Sequence, residues 1–153
     1  VRKIREHMQV RGSVYIEQYR NGRRICALDF PNTIVNDGLA WLAGALSGDT
    51  VTPSDLKYIA IGTSTTAAAA AQTALVTEVE TRGEGTQSRI TTTVTSDTYQ
   101  AVATLNITDT HAITECGIFS ASTNGTMGAR QTFAALNLIS GDTLQITWRI
   151  KFA

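Results

Sequence analysis

From residue 10 to residue 19 apolar and polar side chains alternate, with Val10, Val14 and Ile16 on one face and Arg11, Tyr15, Glu17 and Tyr19 on the other. A period of two is that of a β-strand with one covered face. Asn21-Gly22 follows, a pair suited to the two positive φ values of a type I′ turn. Residues 23–30 then supply a return strand, with Ile25 and Ala27 opposing Cys26, Leu28 and Phe30, so a β-hairpin is predicted, closed by Pro31. Over residues 32–48 the period changes. Leu39, Leu42, Ala43 and Leu46 recur at helical spacing, Asn36 or Asp37 is placed to cap the start, and Gly48 to end it. One short amphipathic helix is expected, with Trp41 beside its leucine stripe and packed on the core.

Residues 56–62, Leu-Lys-Tyr-Ile-Ala-Ile-Gly, form a compact apolar run that reads as a central strand. The Ala- and Thr-rich stretch 63–73 offers no large group to bury and is expected to be a surface loop. Leu75, Val76 and Val79 make a short connection, and Arg82-Gly83-Glu84-Gly85 marks a turn or bulge. Strand alternation resumes in residues 90–95 and 99–107, which should pair as a hairpin around Ser96-Asp97. Residues 111–120 and 126–133 flank Asn124-Gly125, a second type I′ signal. At the C-terminal end Leu144, Ile146, Trp148, Ile150 and Phe152 alternate with Thr143, Gln145, Thr147, Arg149 and Lys151, so this segment is a core strand. The expected fold is mainly β: an antiparallel β-sandwich or jelly-roll-like single domain with one short helix. Within it, residues 1–31 form a basic N-terminal arm and hairpin, and residues 32–153 the sandwich body.

At 153 residues the chain fits one ordinary domain, and its 17% of charged residues is low for a globular protein. The thirteen basic and thirteen acidic groups cancel, yet they are separated along the sequence. Arg2, Lys3, Arg5, Arg11, Arg20, Arg23 and Arg24 face only Glu6 and Glu17 in the first 24 residues, a local charge of plus five against minus five for the remainder. These seven cations are the candidate partner-binding residues, for an acidic protein surface or a neighbouring copy. The plainer alternative is a solvated basic edge strand. No apolar run is long enough for a membrane span, and the basic N-terminus lacks the apolar stretch of a secretory signal, so no membrane attachment and cytoplasmic synthesis are expected. Two cysteines, Cys26 and Cys116, are too few for a disulfide scaffold.

Signatures of catalysis are weak. Nucleophile-elbow, phosphate-loop and His-Glu-x-x-His patterns are missing from the sequence. His7, Cys26, His111 and Cys116 are possible zinc ligands, but their intervals match no paired-ligand spacing, and neither metal nor cofactor is expected. Glu78 and Glu80 could share a strand face as a carboxylate pair for glycan hydrolysis, with Glu84 and Glu115 elsewhere, although no aromatic-lined cleft is signalled. Residues 20–24 with Tyr15 and Tyr19 offer cations and stacking rings for single-stranded nucleic acid, but no nucleic-acid motif accompanies them. Asn106 and Asn124 fit a glycosylation acceptor pattern that has no use without secretion.

Several blocks together resemble a family of small structural proteins of tailed bacteriophages. They are Asn-Thr-Ile-Val-Asn-Asp-Gly-Leu (32–39), Tyr-Ile-Ala-Ile-Gly-Thr-Ser-Thr-Thr-Ala (58–67), the segment 73–82 that opens Thr-Ala-Leu-Val-Thr-Glu-Val, Ala-Ile-Thr-Glu-Cys-Gly-Ile-Phe-Ser-Ala (112–121), Gly-Thr-Met-Gly-Ala-Arg-Gln-Thr-Phe-Ala-Ala-Leu-Asn (125–137) and Ser-Gly-Asp-Thr-Leu-Gln-Ile-Thr-Trp (140–148). The basic hairpin lies outside them. The resemblance implies a non-enzymatic virion component. It would be a capsid decoration (cement) protein bound to the major capsid protein, or else a tail-fibre or baseplate part meeting host glycan. Cys116 stands where similar proteins often carry a small residue, which fits a buried thiol. Many-copy attachment favours a homo-oligomer, with a trimer as the expected form.

Overall fold

The computed structural model describes residues 9–48 and 55–152. The described residues form nine strands and one helix: β1 (Val10–Arg20), β2 (Arg23–Ile34), α1 (Asn36–Ser47), β3 (Tyr58–Gly62), β4 (Glu78–Glu84), β5 (Thr86–Ile90), β6 (Thr98–Asn106), β7 (His111–Phe119), β8 (Met127–Leu138) and β9 (Thr143–Phe152). All pairings are antiparallel, in the order β4-β3-β7-β8-β2-β1-β9-β6-β5. The two outermost strands of that order are consecutive in the chain, with Gly85 alone between them. The segment carrying β4 and β5 therefore pairs β3 with its first half and β6 with its second, and the sheet comes close to closing on itself. This is a mainly β, single-domain, sandwich- or barrel-like fold, as the alternation predicts.

Closure depends on small side chains. A Cβ on Gly83 would meet the Leu105 side chain at 2.8 Å and Ala103 at 3.2 Å, and one on Gly85 would lie 2.8 Å from the Lys57 carbonyl. The Gly85 N–H donates to that same carbonyl at 2.9 Å. Inside, one apolar cluster takes Val14 and Ile16 from β1, Ala101, Ala103 and Leu105 from β6, Ile113, Cys116 and Ile118 from β7, and Leu144, Ile146, Trp148 and Ile150 from β9. In β1, β6 and β9 these are the faces that the two-residue period selects. Both type I′ signals hold: Asn21 and Gly22 have φ of 52° and 74°, Asn124 and Gly125 of 54° and 71°.

Four expectations need correction. First, the edge of the basic hairpin is not β1, which pairs β2 on one side and β9 on the other, but β2, which carries Arg23 and Arg24. Second, Pro31 does not close β2, which runs on to Ile34 after leaving β1 and pairs β8 at Thr33 and Ile34. Pro31 lies where β2 has a strand on one side only, and there a missing N–H is tolerated. Third, β5 spans Thr86–Ile90, and the residues after it form a turn closed by the Asp97 carboxylate, which accepts hydrogen bonds from the backbone of Thr92, Thr93 and Val94. Together these bonds, Val94's foremost, hold the Asp97 pKa far below the usual carboxylate value against a smaller opposing push from burial.

Fourth, α1 is capped at Val35 with no side-chain cap, and its buried residue is Gly38. A Cβ on Gly38 would lie 2.0 Å from the Gly128 carbonyl oxygen. The helix touches the sheet too closely there for a leucine, so Gly38 and the half-buried Trp41 face inward while Leu39 and Leu46 are 48% and 86% exposed. Gly48 ends the helix in the left-handed conformation, as expected. Pro53 and His7 lie outside the described residues.

Candidate functional site

Three clusters of charged side chains, one of them fully buried, stand out, and each begins in a strand that positions it. In β7 the usual alternation fails: seven consecutive residues, Ile113 to Phe119, are buried, Glu115 among them. One face of this strand meets the core, and the other is covered by the loop over residues 63–77. Glu115 pairs with Arg130 of β8 at 2.6 Å, and both side chains are 0% exposed. The Glu115 carboxylate also accepts from the backbone N–H groups of Thr77 at 2.8 Å, Val76 at 3.1 Å and Ser64 at 3.3 Å. Arg130 donates its remaining bonds to the Thr66 carbonyl and the Gln72 side chain. Gly62 makes room, because a Cβ there would lie 2.5 Å from a Glu115 oxygen. The 63–73 segment is therefore a loop, as expected, but one that lids a buried ion pair.

The second cluster lies on β4. Glu78 and Glu80 do not act as a matched pair. Glu78 binds Arg82 at 2.7 Å, and Arg82 spans onward to the carbonyls of Ala121 and Asn124 while its guanidinium sits 3.7 Å over the Phe119 ring. Glu80 occupies a bulge with φ of 61° and accepts from Thr108 N, Thr108 Oγ1 and Asp109 N at 2.8 to 3.0 Å, with His111 Nε2 at 3.3 Å. Burial pushes its pKa up, but the bonds from Asp109 and Thr108 and the nearby His111 outweigh it and hold it below the usual value. Glu80, Asp109 and His111 place ligand atoms within 4.8 Å of one another, the one such group among the described residues. With the Glu80 oxygens already holding the β6–β7 turn, the group works as a clamp. Glu78, Glu80, Arg82, Ser122, Thr123 and Asn124 line an open polar groove of about 400 Å³.

The third cluster is the basic hairpin. Arg20 makes two 2.8 Å bonds to the fully buried Asp142 carboxylate, which also takes one from Gln18 and one from the Ile139 N–H. Arg20 foremost, together with these bonds, holds the Asp142 pKa far below normal despite burial. Arg24 pairs with Glu17 at 2.6 Å and lies near the Tyr15 hydroxyl. Arg23 is exposed at the turn. Arg11 bonds Gln9 at 2.9 Å and lines an open cavity of about 730 Å³, together with Asp29, Phe30, Asn32 and Leu39. Arg2, Lys3 and Arg5 lie outside the described residues. Of the four described cations, Arg20 and Arg24 carry ion pairs within the fold and Arg11 and Arg23 carry none.

His111 stands beside Glu80, and Cys116 lies in the core, so the two do not meet as ligands; burial first, and then Glu115, push the Cys116 thiol up. Both cysteines are free thiols. Among the described residues no helix is long and apolar enough to cross a membrane. Comparison of the chain with protein-family models, with curated proteins and with solved structures returns no match.

Proposed function

We propose that the chain is a structural component of a tailed-bacteriophage virion, in the first place a capsid decoration protein that binds the major capsid protein in many copies. One observation carries this reading. The buried Glu115–Arg130 network draws on four blocks of the phage resemblance and spends its charges on fixing a loop to the sheet. Glu78 and Glu80 are likewise engaged in holding loops. Such clamps favour a rigid building block over acid-base chemistry, which needs carboxylates free to exchange protons with a substrate.

The test is recovery on particles. Purified chain added to virions that lack it should bind tail-less heads in stoichiometric amount. Arg23→Glu should weaken binding and its salt sensitivity, because exposed pairs are screened over about 8 to 10 Å at physiological salt. Arg23 is the residue to change, since Arg20 also anchors Asp142. Failure to bind either heads or tails would sink the virion reading.

The polar groove favours a second reading, a tail-fibre or baseplate part contacting host glycan. Its walls are the Arg82-held loop at Ser122, Thr123 and Asn124 and the β4 carboxylates, a preformed set of donors and acceptors. Binding to tails, and loss of glycan binding in Thr123→Ala or Asn124→Ala, would favour it over decoration. A glycan-cleaving enzyme is the remote third reading, and it requires turnover that Glu78→Gln or Glu80→Gln abolishes.

A further inference from the structure

The nearly closed sheet has one open seam. Among the described residues β2 and β8 pair only at Thr33–Arg130 and Ile34–Ala129, so from Arg23 to Asn32 strand β2 has β1 on one side and no strand on the other. Near the closed end the gap is bridged by the stacked rings of Phe30 and Phe133, 5.1 Å apart, and by Gln131 donating to the Pro31 carbonyl. Toward the hairpin tip Ile25 is 47% exposed, Ala27 and Asp29 are exposed, and Cys26 and Leu28 are half-buried. A long free edge with apolar side chains invites another strand.

We infer that this edge of β2 pairs antiparallel with the same edge of a second copy, about a two-fold axis near Cys26 and Ala27. Charge decides the occupant. Strand β2 carries Arg23 and Arg24 at one end of the free stretch and Asp29 toward the other, and no ion pair within the fold engages Arg23 or Asp29 among the described residues. Antiparallel self-pairing lays the arginine end of each strand over Asp29 of its mate, whereas parallel pairing would stack arginine on arginine. Small Ala27 at the axis permits close approach, and the bulge that leaves Ile25 of β2 unpaired opposite Gln18 and Tyr19 puts the half-exposed Arg24, which also holds Glu17, on the same face as Asp29. An isologous pair of this kind builds even-numbered assemblies and departs from the three-fold form expected above. The inference concerns self-association alone and does not rest on the virion reading.

The decisive experiment uses the unaltered chain. Across an antiparallel pair, residues beside the axis lie about 5 to 8 Å from their mates. A short bismaleimide should therefore join Cys26 to Cys26 of a second copy, the other cysteine being fully buried. Sedimentation should show a dimer at micromolar concentration. Ala27→Lys, which sets like charges at the axis, and Asp29→Arg should each weaken dimerisation at least tenfold while far-ultraviolet circular dichroism stays unchanged. Cross-linking still decides if a variant fails to fold. A monomer at 100-micromolar order, or a trimer whose cysteines do not cross-link, would overturn the inference.

Discussion

The sheet changes layers at two places, and the two differ sharply. At Gly85 the chain crosses between β3 and β6 with Gly83, Ala101 and Ala103 leaving room, and the backbones close to hydrogen-bonding distance. At Pro31 and Asn32 the chain crosses between β1 and β8 with Phe30 and Phe133 between the strands, and only two residue pairs form before the seam opens. Side-chain volume at the crossing decides whether a sheet seals. Charge is placed independently of that division: the fully buried Glu115–Arg130 pair ties β7 and β8 to the loop over residues 63–77, while the hairpin tip is braced by Asp142 with Gln18 and the partly exposed Arg20.

The contrast can be broken from its strongest point. Arg130→Met leaves Glu115 buried without its cation, and the expected loss is about 3 to 5 kcal/mol in urea denaturation. Adding Glu115→Leu should recover part of it, since a well-packed apolar pair removes the stranded charge. A loss under about 1 kcal/mol for Arg130→Met alone would mean that the loop over residues 63–77 readily lifts to admit water. Gly85→Ala comes next, at about 1 to 3 kcal/mol, because the new methyl meets the Lys57 carbonyl and the neighbouring strand must yield. In the open seam, Phe133→Ala should cost about 1 to 2 kcal/mol: the ring is only half-buried, and a stacked pair adds about 0.5 to 1.5 kcal/mol beyond its area. If Phe133→Ala proved costlier than Gly85→Ala, the open seam would be the stronger of the two and the contrast would fail.

What the sequence made legible follows the same physics. Strands β1 and β9 could be read because each has one covered face, so alternation survives, and the Asn-Gly turns could be read because their φ values demand those residues. The pairing of β1 with β9, from opposite ends of the chain, leaves no mark in a local period. In α1 the period was visible but its phase was misjudged, since Gly38 faces the sheet and a glycine does not register as a buried residue. The Glu115–Arg130 network escaped because alternation sends a lone glutamate to solvent, and only the third layer formed by the 63–77 loop reverses that assignment. The sequence shows the charge of Arg20 and Arg24 but not the carboxylates of Asp142 and Glu17 that the fold brings to them.

The smallest effect is expected at the brace of the open seam, and it should appear as a pH dependence. The Asp142 pKa is depressed in the folded state by Arg20, then by the Ile139 N–H and Gln18, so between the folded and unfolded pKa values the unfolded chain binds the extra proton. Its contribution is present above the unfolded carboxylate value, near 4, and is lost as pH falls through the lower folded value. Because Arg20 is over a third exposed, about 1 kcal/mol is the share to expect. Asp142→Asn should remove that share and flatten the acid limb of the stability curve, measured by urea midpoints from pH 6 down to about 3. Asp97 and Glu80, also depressed, would still contribute to the limb that remains. An acid limb as steep in Asp142→Asn as in the unaltered chain would show that the hairpin tip is held by β1–β9 pairing alone, with no electrostatic brace.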